Sequence, residues 1–372
     1  MRHPHTSIRS PKTQSGFSLI EILVGLVISL LVTLVIMQVF SVFEGQKRST
    51  TGTADAQTNG NIALYNVQRD VQLAGFGLPV FAKTNSPLFC NDAVDPTKTD
   101  ERVSPVVITD GGAAAGASDT ITVRYGSTLS GGIPVQVSLA TVTTAPAMSV
   151  GVSNNMGCQV NDTAIIVNGT SCVITSVTGP TDIAVPPVPT VPDTTHIELQ
   201  VGTGVIANAN IACMGNWSAY TFAVNNNQLE RNGAANVAEI VNMQAQYGIS
   251  AAGNNNQVTE WVNATGATWG PAITTANRNR IKAVRIAIVA RNGLLEKEDI
   301  TTACSSITDA NPTGLCAWDA TSANPTIASP APTIDLSSIT DWQKYRYRVF
   351  ETIIPIRSMI WSKDTLQSEQ LS

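Results

Sequence analysis

The residues most often used for catalysis and metal binding are scarce in this chain. Only three of its 372 residues are histidines, and His3 and His5 lie in the extreme N-terminal stretch. A zinc or non-haem iron site that uses two or three imidazoles cannot be built from His196 alone. No hydrolase elbow, Walker loop or HExxH helix is present either. We therefore expect no catalytic residue, no metal and no cofactor, and we expect His196 to lie at the start of a strand.

Cysteine is the second residue type whose chemistry must be considered. None of the six cysteines forms a Cys-x-x-Cys pair, which argues against a zinc ribbon or a thioredoxin-like motif. In an exported chain, an even number of cysteines indicates disulfides. Sequence leaves the connectivity open, but short loops favour two of the pairs and leave a third: Cys158 with Cys172, Cys304 with Cys316, and Cys90 with Cys213.

Glu21 is the one charged side chain in the apolar run 17–43. This run is longer than the apolar region of a cleaved secretory signal, and it exceeds the roughly 20 residues with which a helix crosses a bilayer. A carboxylate costs about 2.5 to 3.5 kcal/mol at the centre of a membrane helix and less near its interface. Glu21 is therefore either solvated at the level of the headgroups or paired with a positive charge.

The segment before the apolar run is polar and basic. Residues 1–16 contain Arg2, Arg9 and Lys12 and no acidic residue, whereas Lys47 and Arg48 follow the run. The excess of positive charge on the N-terminal side favours a cytoplasmic N-terminus. The rest of the chain would then lie on the opposite side of the membrane.

The order of residues in GFSLIE, 16–21, followed by ILVGLVISLLVTLVIMQVF, resembles the class III signal of type IV pilins and type II secretion pseudopilins. In that family, a prepilin peptidase cuts after the glycine and methylates the new N-terminal residue. The resemblance implies that 1–16 is a leader peptide, that cleavage falls between Gly16 and Phe17, and that Phe17 becomes N-methylated. It also implies that Glu21 pairs with the N-terminal amine of a neighbouring subunit, which offsets the desolvation of both charges.

Helical spacing continues beyond the apolar run. The stretch 45–60 is rich in Gly, Ser, Thr and Asn, which are poor in helix interiors, and helical spacing returns in ALYNVQRDVQLAGFG. We predict an N-terminal helix over 17–78 that is weakened or interrupted near 45–60. Its second half should pack on the head, which is the remainder of the chain. Arg69 and Asp70 are adjacent, so we expect them to face different sides of the helix and not to pair.

The remainder, 79–372, is predicted to be a β-rich head, so the fold class is α+β with a long hydrophobic helix packed on it. Short runs of Val, Ile and Thr lie between Gly, Pro, Asn and Asp residues, a pattern typical of strands. The segment 218–233 indicates a hairpin, 237–250 is ambiguous between helix and strand, and 345–361 is a strand pair or one strand broken at Pro355. The five prolines in 178–195 indicate a stiff connection that could divide the head into two lobes.

Four segments resemble PilW-type minor pilins in the same order: 62–77, 238–250, 284–291 and 342–358. The resemblance implies a non-enzymatic protein of type IV pilus assembly or priming, with a place at the pilus tip as one option. Its implied partners are other minor pilins, the major pilin, the prepilin peptidase, the assembly platform and inner-membrane lipid. The implied location is the inner membrane, crossed once, with the C-terminal head in the periplasm, and then the pilus at the cell surface.

Two other functions remain open at this point. A type II secretion pseudopilin shares the signal and Glu21, and a membrane-tethered periplasmic enzyme would need a pocket with perturbed carboxylates. A nucleic-acid binder is disfavoured because phosphate neutralisation needs clustered Lys and Arg, whereas this chain has a net charge of −5 and only 13% charged residues.

Overall fold

The computed structural model describes residues 16–79, 103–128, 132–144, 147–168, 171–179, 182–183, 191–192, 194–200, 209–253, 255–307, 311–318 and 331–360. The chain divides into two compact units, Met1–Gly52 and Thr53–Ser372. The first unit contains the apolar run, and the second contains every strand that the structure describes.

The N-terminal helix, α1 (Leu19–Gln72), is continuous over 54 residues, so the predicted interruption near 45–60 is wrong. No proline lies in that stretch, and each of its residues therefore keeps a backbone N–H for the helix. The hydroxyls of Thr50 and Thr58 donate to the carbonyl oxygens of Gln46 and Ala54 at 2.9 and 3.0 Å. These hydroxyls are thus satisfied within the helix and do not compete with it.

The C-terminal part of α1 lies in the core of the second unit. Ala63, Val67 and Val71 follow each other at helical spacing and are each 0% exposed. They belong to the largest apolar cluster of the described residues, which also contains Met243 and Ile286 of the strands. The helix therefore owes this part of its stability to packing rather than to the intrinsic propensities of its residues.

All seventeen strands in the described residues follow α1 in the chain, and three short helices, α2 (Gly266–Trp269), α3 (Thr275–Arg278) and α4 (Arg357–Ile360), lie among or after them. The strands are β1 (Val106–Thr109), β2 (Thr120–Tyr125), β3 (Val135–Thr144), β4 (Ala147–Val152), β5 (Thr163–Asn168), β6 (Ser171–Gly179), β7 (Asp182–Ile183), β8 (Val191–Pro192), β9 (His196–Leu199), β10 (Asn210–Cys213), β11 (Ser218–Asn225), β12 (Gln228–Arg231), β13 (Ala234–Ala238), β14 (Ile240–Ile249), β15 (Glu260–Val262), β16 (Ile281–Arg291) and β17 (Tyr347–Pro355).

The strands form a closed barrel, two larger sheets and one small pair. The barrel has the order β10-β3-β4-β9-β6-β5, and the sheets have the orders β1-β2-β11-β12-β13 and β15-β14-β16-β17, while β7 pairs with β8. The strands before and after the proline-rich segment 178–195, β6 and β9, pair with each other in the barrel. That segment is therefore a connection within one sheet.

The hairpin predicted over 218–233 is confirmed. Asn225 of β11 pairs with Gln228 of β12, and the two turn residues Asn226 and Asn227 have φ angles of 49° and 59°. Asparagine tolerates this left-handed region better than most residues, which explains its use at both central positions of a two-residue turn.

The ambiguous segment 237–250 is mostly strand β14, in which every residue is buried. It pairs with β16 at the centre of a sheet that carries one apolar cluster on each face. A strand buried on both faces loses the alternation of polar and apolar residues, which is why its pattern resembles that of a helix. At the C-terminal end, β17 ends at Pro355 and α4 follows, so the chain forms one strand there and not a pair.

Candidate processing and assembly site

Glu21 lies in the first turn of α1, close to the residues predicted to be processed. Gly16 and Phe17 precede the helix, and the Phe17 side chain is 85% exposed. The backbone N–H of Ser18 donates to the Glu21 carboxylate, with the nitrogen and Oε2 3.0 Å apart. Glu21 therefore satisfies a backbone donor that the helix leaves free, and its negative charge lies at the positive end of the helix dipole.

This capping contact was not anticipated from the sequence, which indicated only a charge in an apolar run. The signal was present, however, because Ser18 and Glu21 stand at the first and last positions of the Ser-x-x-Glu pattern that starts helices. The contact shows that Glu21 has a partner within its own chain before any neighbouring subunit is considered.

The apolar run of α1 presents its side chains to the surroundings. Every large apolar side chain between Phe17 and Phe43 is between 48% and 85% exposed. Within the described residues, α1 is the one helix that is long and apolar enough to cross a membrane. A surface of this size and composition is not stable in water, so it requires lipid or other helices to cover it.

At the other end of α1, the carboxylate of Asp70 is 0% exposed and lies between two arginines. Arg231 of β12 donates from Nε to Oδ2 at 2.8 Å, and Arg69 donates from Nη2 to Oδ1 at 3.2 Å. The prediction that Arg69 and Asp70 do not pair is therefore wrong. The two residues leave the helix in different directions, but the Arg69 side chain is long enough to reach the carboxylate of its neighbour.

Two tyrosines hold the guanidinium of Arg231 from β2 and β11. The guanidinium lies 3.8 Å from the centre of the Tyr220 ring and donates to the hydroxyl oxygen of Tyr125 at 3.3 Å. The two rings stack with their centres 4.8 Å apart. Burial, together with the nearby charge of Asp70, raises the pKa of Tyr125 to about 12. Sequence reasoning missed Arg231, because only the tertiary fold brings it to Asp70.

The structure corrects two of the three predicted cysteine pairs. Cys304 and Cys316 form the predicted short-loop disulfide, whereas Cys158 is bonded to Cys213 and not to Cys172. Cys213 is therefore unavailable to Cys90, which lies outside the described residues. Cys172 is also disulfide-bonded. The pairing of Cys158 with Cys213 follows from the barrel, which brings β10 to the loop after β4 with the two Cα atoms 5.2 Å apart.

His196 is the first residue of β9, where the sequence predicts it, and its Nδ1 lies 3.1 Å from the hydroxyl of Thr195. Among the residues that the structure describes, no three His, Cys, Asp or Glu side chains are grouped to hold a metal ion. The chemically distinctive features of the described chain are therefore the capped carboxylate of Glu21 in an apolar helix and the junction around Asp70.

Two families match parts of this chain. Residues 11–37, which include Gly16, Phe17 and Glu21, match the prokaryotic N-terminal methylation motif. Residues 217–358 match the PilW family, type IV pilus-assembly protein W, over the region that begins just before β11 and ends in α4. No match was found among curated proteins or among solved structures. The two family matches confirm the predicted resemblance to PilW-type type IV pilins and support the interpretation of the chain as a type IV pilus-related pilin.

Proposed function

We propose that this chain is a minor pilin that takes part in the assembly or priming of the type IV pilus. The observation that carries the proposal is the exposed apolar surface of α1 together with the single carboxylate, Glu21, in its first turn. A helix of this kind can be stored in the inner membrane and can pass from lipid into a bundle of similar helices, since both environments cover apolar side chains.

In this proposal, a prepilin peptidase cuts between Gly16 and Phe17 and methylates the new amine at Phe17. The head of the chain lies in the periplasm before assembly, and in the pilus or at its tip afterwards. Other minor pilins, the major pilin and the assembly platform are the partners. The size of the head favours a subunit that is used in few copies, because a bulky head is difficult to repeat densely along a shaft.

Glu21 has two partners available in succession. In the single chain its carboxylate accepts the N–H of Ser18. A carboxylate in lipid is stabilised far more by a full positive charge than by a neutral donor, so the amine at Phe17 of an adjacent subunit is the stronger partner. Exchange of the first partner for the second would fix the axial position of a subunit as it joins the bundle.

Two variants separate the cap from the charge. Glu21→Gln keeps an oxygen that can accept the Ser18 N–H but removes the negative charge, whereas Glu21→Ala removes both. We expect the peptidase to process both variants normally and both to fail in restoring pili to a strain that lacks the gene. Normal piliation with Glu21→Gln would show that the charge is not needed and would contradict this role.

A deletion strain distinguishes the pilus from a secretion system. We expect the loss of surface pili, counted by electron microscopy, with normal export of a type II secretion substrate in the same strain. Loss of secretion with normal pili would instead identify the chain as a type II secretion pseudopilin. A finding that this chain is the most abundant subunit of purified pili would contradict its assignment as a minor pilin.

A further inference from the structure

A small cleft in the second unit is lined by residues that neither the processing site nor the junction around Asp70 uses. It has a volume of about 210 Å³ and lies between Thr53 of α1 and the adjoining ends of β16 and β17, where Asn292, Arg346 and Arg348 line it. Pockets for drug-sized ligands span about 300 to 1,000 Å³, so this cleft suits a single side chain or a small acid.

Asn292 contributes a buried donor without a partner. The residue is 1% exposed, and in the described part of the chain its amide nitrogen Nδ2 has no hydrogen-bond partner. The amide orientation is fixed because Oδ1 accepts the backbone N–H of Leu294 at 3.0 Å, so the nitrogen is the free end. A buried donor left unpaired destabilises a fold, which makes it a signal of a ligand.

The register of the sheet places Asn292 and the two arginines on one face. The N–H of Asn292 donates to the carbonyl oxygen of Arg346, which extends the pairing of β16 with β17 by one residue. Side chains two residues apart on a strand share a face, so Arg346 and Arg348 both lie on the side of the cleft. Tyr347 lies between them and also lines the cleft, while its side chain packs on the apolar cluster of the opposite face.

The charges at the cleft favour a ligand with one negative charge. The guanidinium of Arg346 donates to the carboxylate of Glu296 at 2.7 Å and is therefore neutralised. Within the described residues, the exposed guanidinium of Arg348 forms no hydrogen bond and no ion pair. One uncompensated positive charge and one buried N–H donor match a carboxylate, which carries a single charge and accepts several hydrogen bonds.

We propose that this cleft binds a carboxylate, held by the guanidinium of Arg348 and the amide nitrogen of Asn292. The carboxylate comes from a small organic acid or from an Asp or Glu side chain of another protein, and both sources present the same chemistry. Since binding is measured on the purified chain, the test does not depend on the proposed role in pilus assembly.

The experiment uses the full chain in detergent and ligand-detected saturation-transfer NMR with two probes, acetate and N-acetylglutamate amide. Inorganic phosphate, which has no carbon-bound protons to observe, is added as a competitor. Binding of acetate as strong as that of the blocked glutamate supports a small acid as ligand. Binding of the blocked glutamate alone supports a side chain of another protein. Displacement of both probes by phosphate at a lower concentration than acetate needs, or binding of neither probe, overturns the proposal.

Two variants and a matched control localise the binding. Arg348→Gln removes the exposed charge and should weaken binding about fivefold. Asn292→Asp keeps the oxygen that accepts the Leu294 N–H but replaces the amide donor by a negative charge, so it should abolish binding. Lys297→Gln makes the same charge change on an exposed residue of the neighbouring loop and should leave binding unchanged. Equal weakening by Arg348→Gln and Lys297→Gln would show a non-specific charge effect and overturn the site, even if Asn292→Asp failed to fold.

Discussion

The guanidinium of Arg231 in β12 donates to the fully buried carboxylate of Asp70 in α1, with Nε and Oδ2 2.8 Å apart. The pair joins residues 161 positions apart in the sequence and connects the helix to the five-stranded sheet. Asp70 follows the core residue Val67 by about one helical turn and is itself 0% exposed, so its charge is buried beside apolar side chains and must be neutralised there.

Removal of Arg231 should therefore destabilise the protein strongly. We expect Arg231→Met to lower the free energy of unfolding by about 3 kcal/mol, because breaking a buried ion pair leaves an uncompensated charge. Arg69→Met removes a partner of the same carboxylate whose side chain is 53% exposed, and it should cost less than about 1 kcal/mol. Urea denaturation in detergent measures both. Equal effects of the two substitutions would contradict the dominant role of Arg231.

Gly60 is a second point at which α1 depends on the sheet. A Cβ atom at this position would overlap the ring of Phe350 in β17. Alanine favours a helix interior over glycine by about 1 kcal/mol, yet we expect Gly60→Ala to destabilise the protein by about 1 to 3 kcal/mol through this overlap. Gly45→Ala is the matched control, since among the described residues a Cβ there would meet nothing within 4 Å beyond its chain neighbours and the adjoining helix backbone.

Unfolding of the two glycine variants is followed by the same urea titration. The double variant Gly60→Ala with Phe350→Ala separates overlap from other causes, because the alanine at 60 should then cost nothing beyond the loss of the ring. A decrease in stability for Gly60→Ala that persists in the absence of the Phe350 ring would refute the close approach as its cause.

The features predicted correctly from the sequence depend on short stretches of chain. The hairpin at Asn226 and Asn227 and the disulfide between Cys304 and Cys316 require only local geometry, and the apolar run alone defines the start of α1. Features that depend on the closure of sheets were missed. The bond between Cys158 and Cys213 requires the barrel, and no local pattern specifies which strands close it.

The interruption of α1 near 45–60 was predicted wrongly for a different reason. Helix propensities favour a break in a stretch so rich in Gly, Ser and Thr, but propensity is a weak preference that context overrides. Gly60 shows why such a residue is present within a helix, since only a glycine lets the Phe350 ring approach so closely. Gly60 thus weakens the helix by its own propensity but is required by the packing of the helix on the sheet.

The disulfide of the barrel should contribute more stability than the short-loop disulfide. Cys158 and Cys213 are 55 residues apart, whereas Cys304 and Cys316 are 12 residues apart. Because a longer loop loses more entropy on closure, we expect the pair of substitutions Cys158→Ala and Cys213→Ala to cost about 4 kcal/mol and the pair Cys304→Ala and Cys316→Ala about 3 kcal/mol. Thermal unfolding of both double variants tests this order, and a larger loss for the 304–316 pair would reverse it.

Asp119 should make the stability depend on pH. Burial raises the pKa of its carboxyl to about 6, although the backbone N–H groups of Gly111 and Ala245 donate to it and oppose the rise, and the charge of Asp110 adds to it. A carboxyl whose pKa is higher in the folded state binds more protons there than in the unfolded chain. The contribution of Asp119 to the free energy of unfolding therefore decreases by a total of about 3 kcal/mol as the pH rises from about 4 to about 6. Above that range its contribution is constant.

Substitutions at Asp119 and Asp110 test this dependence. Asp119→Asn removes the titrating group and should flatten the decrease in the free energy of unfolding between about pH 4 and pH 7, even if the amide fits the two N–H donors less well. Asp110→Asn removes a charge that raises the pKa of Asp119 and should make the decrease smaller without abolishing it. Urea midpoints measured across this range in all three proteins give the slopes. Because other carboxyls titrate in the same range, the test compares the slope of stability against pH in each variant with that of the unmodified protein. An unchanged slope in Asp119→Asn would assign the pH dependence to other groups.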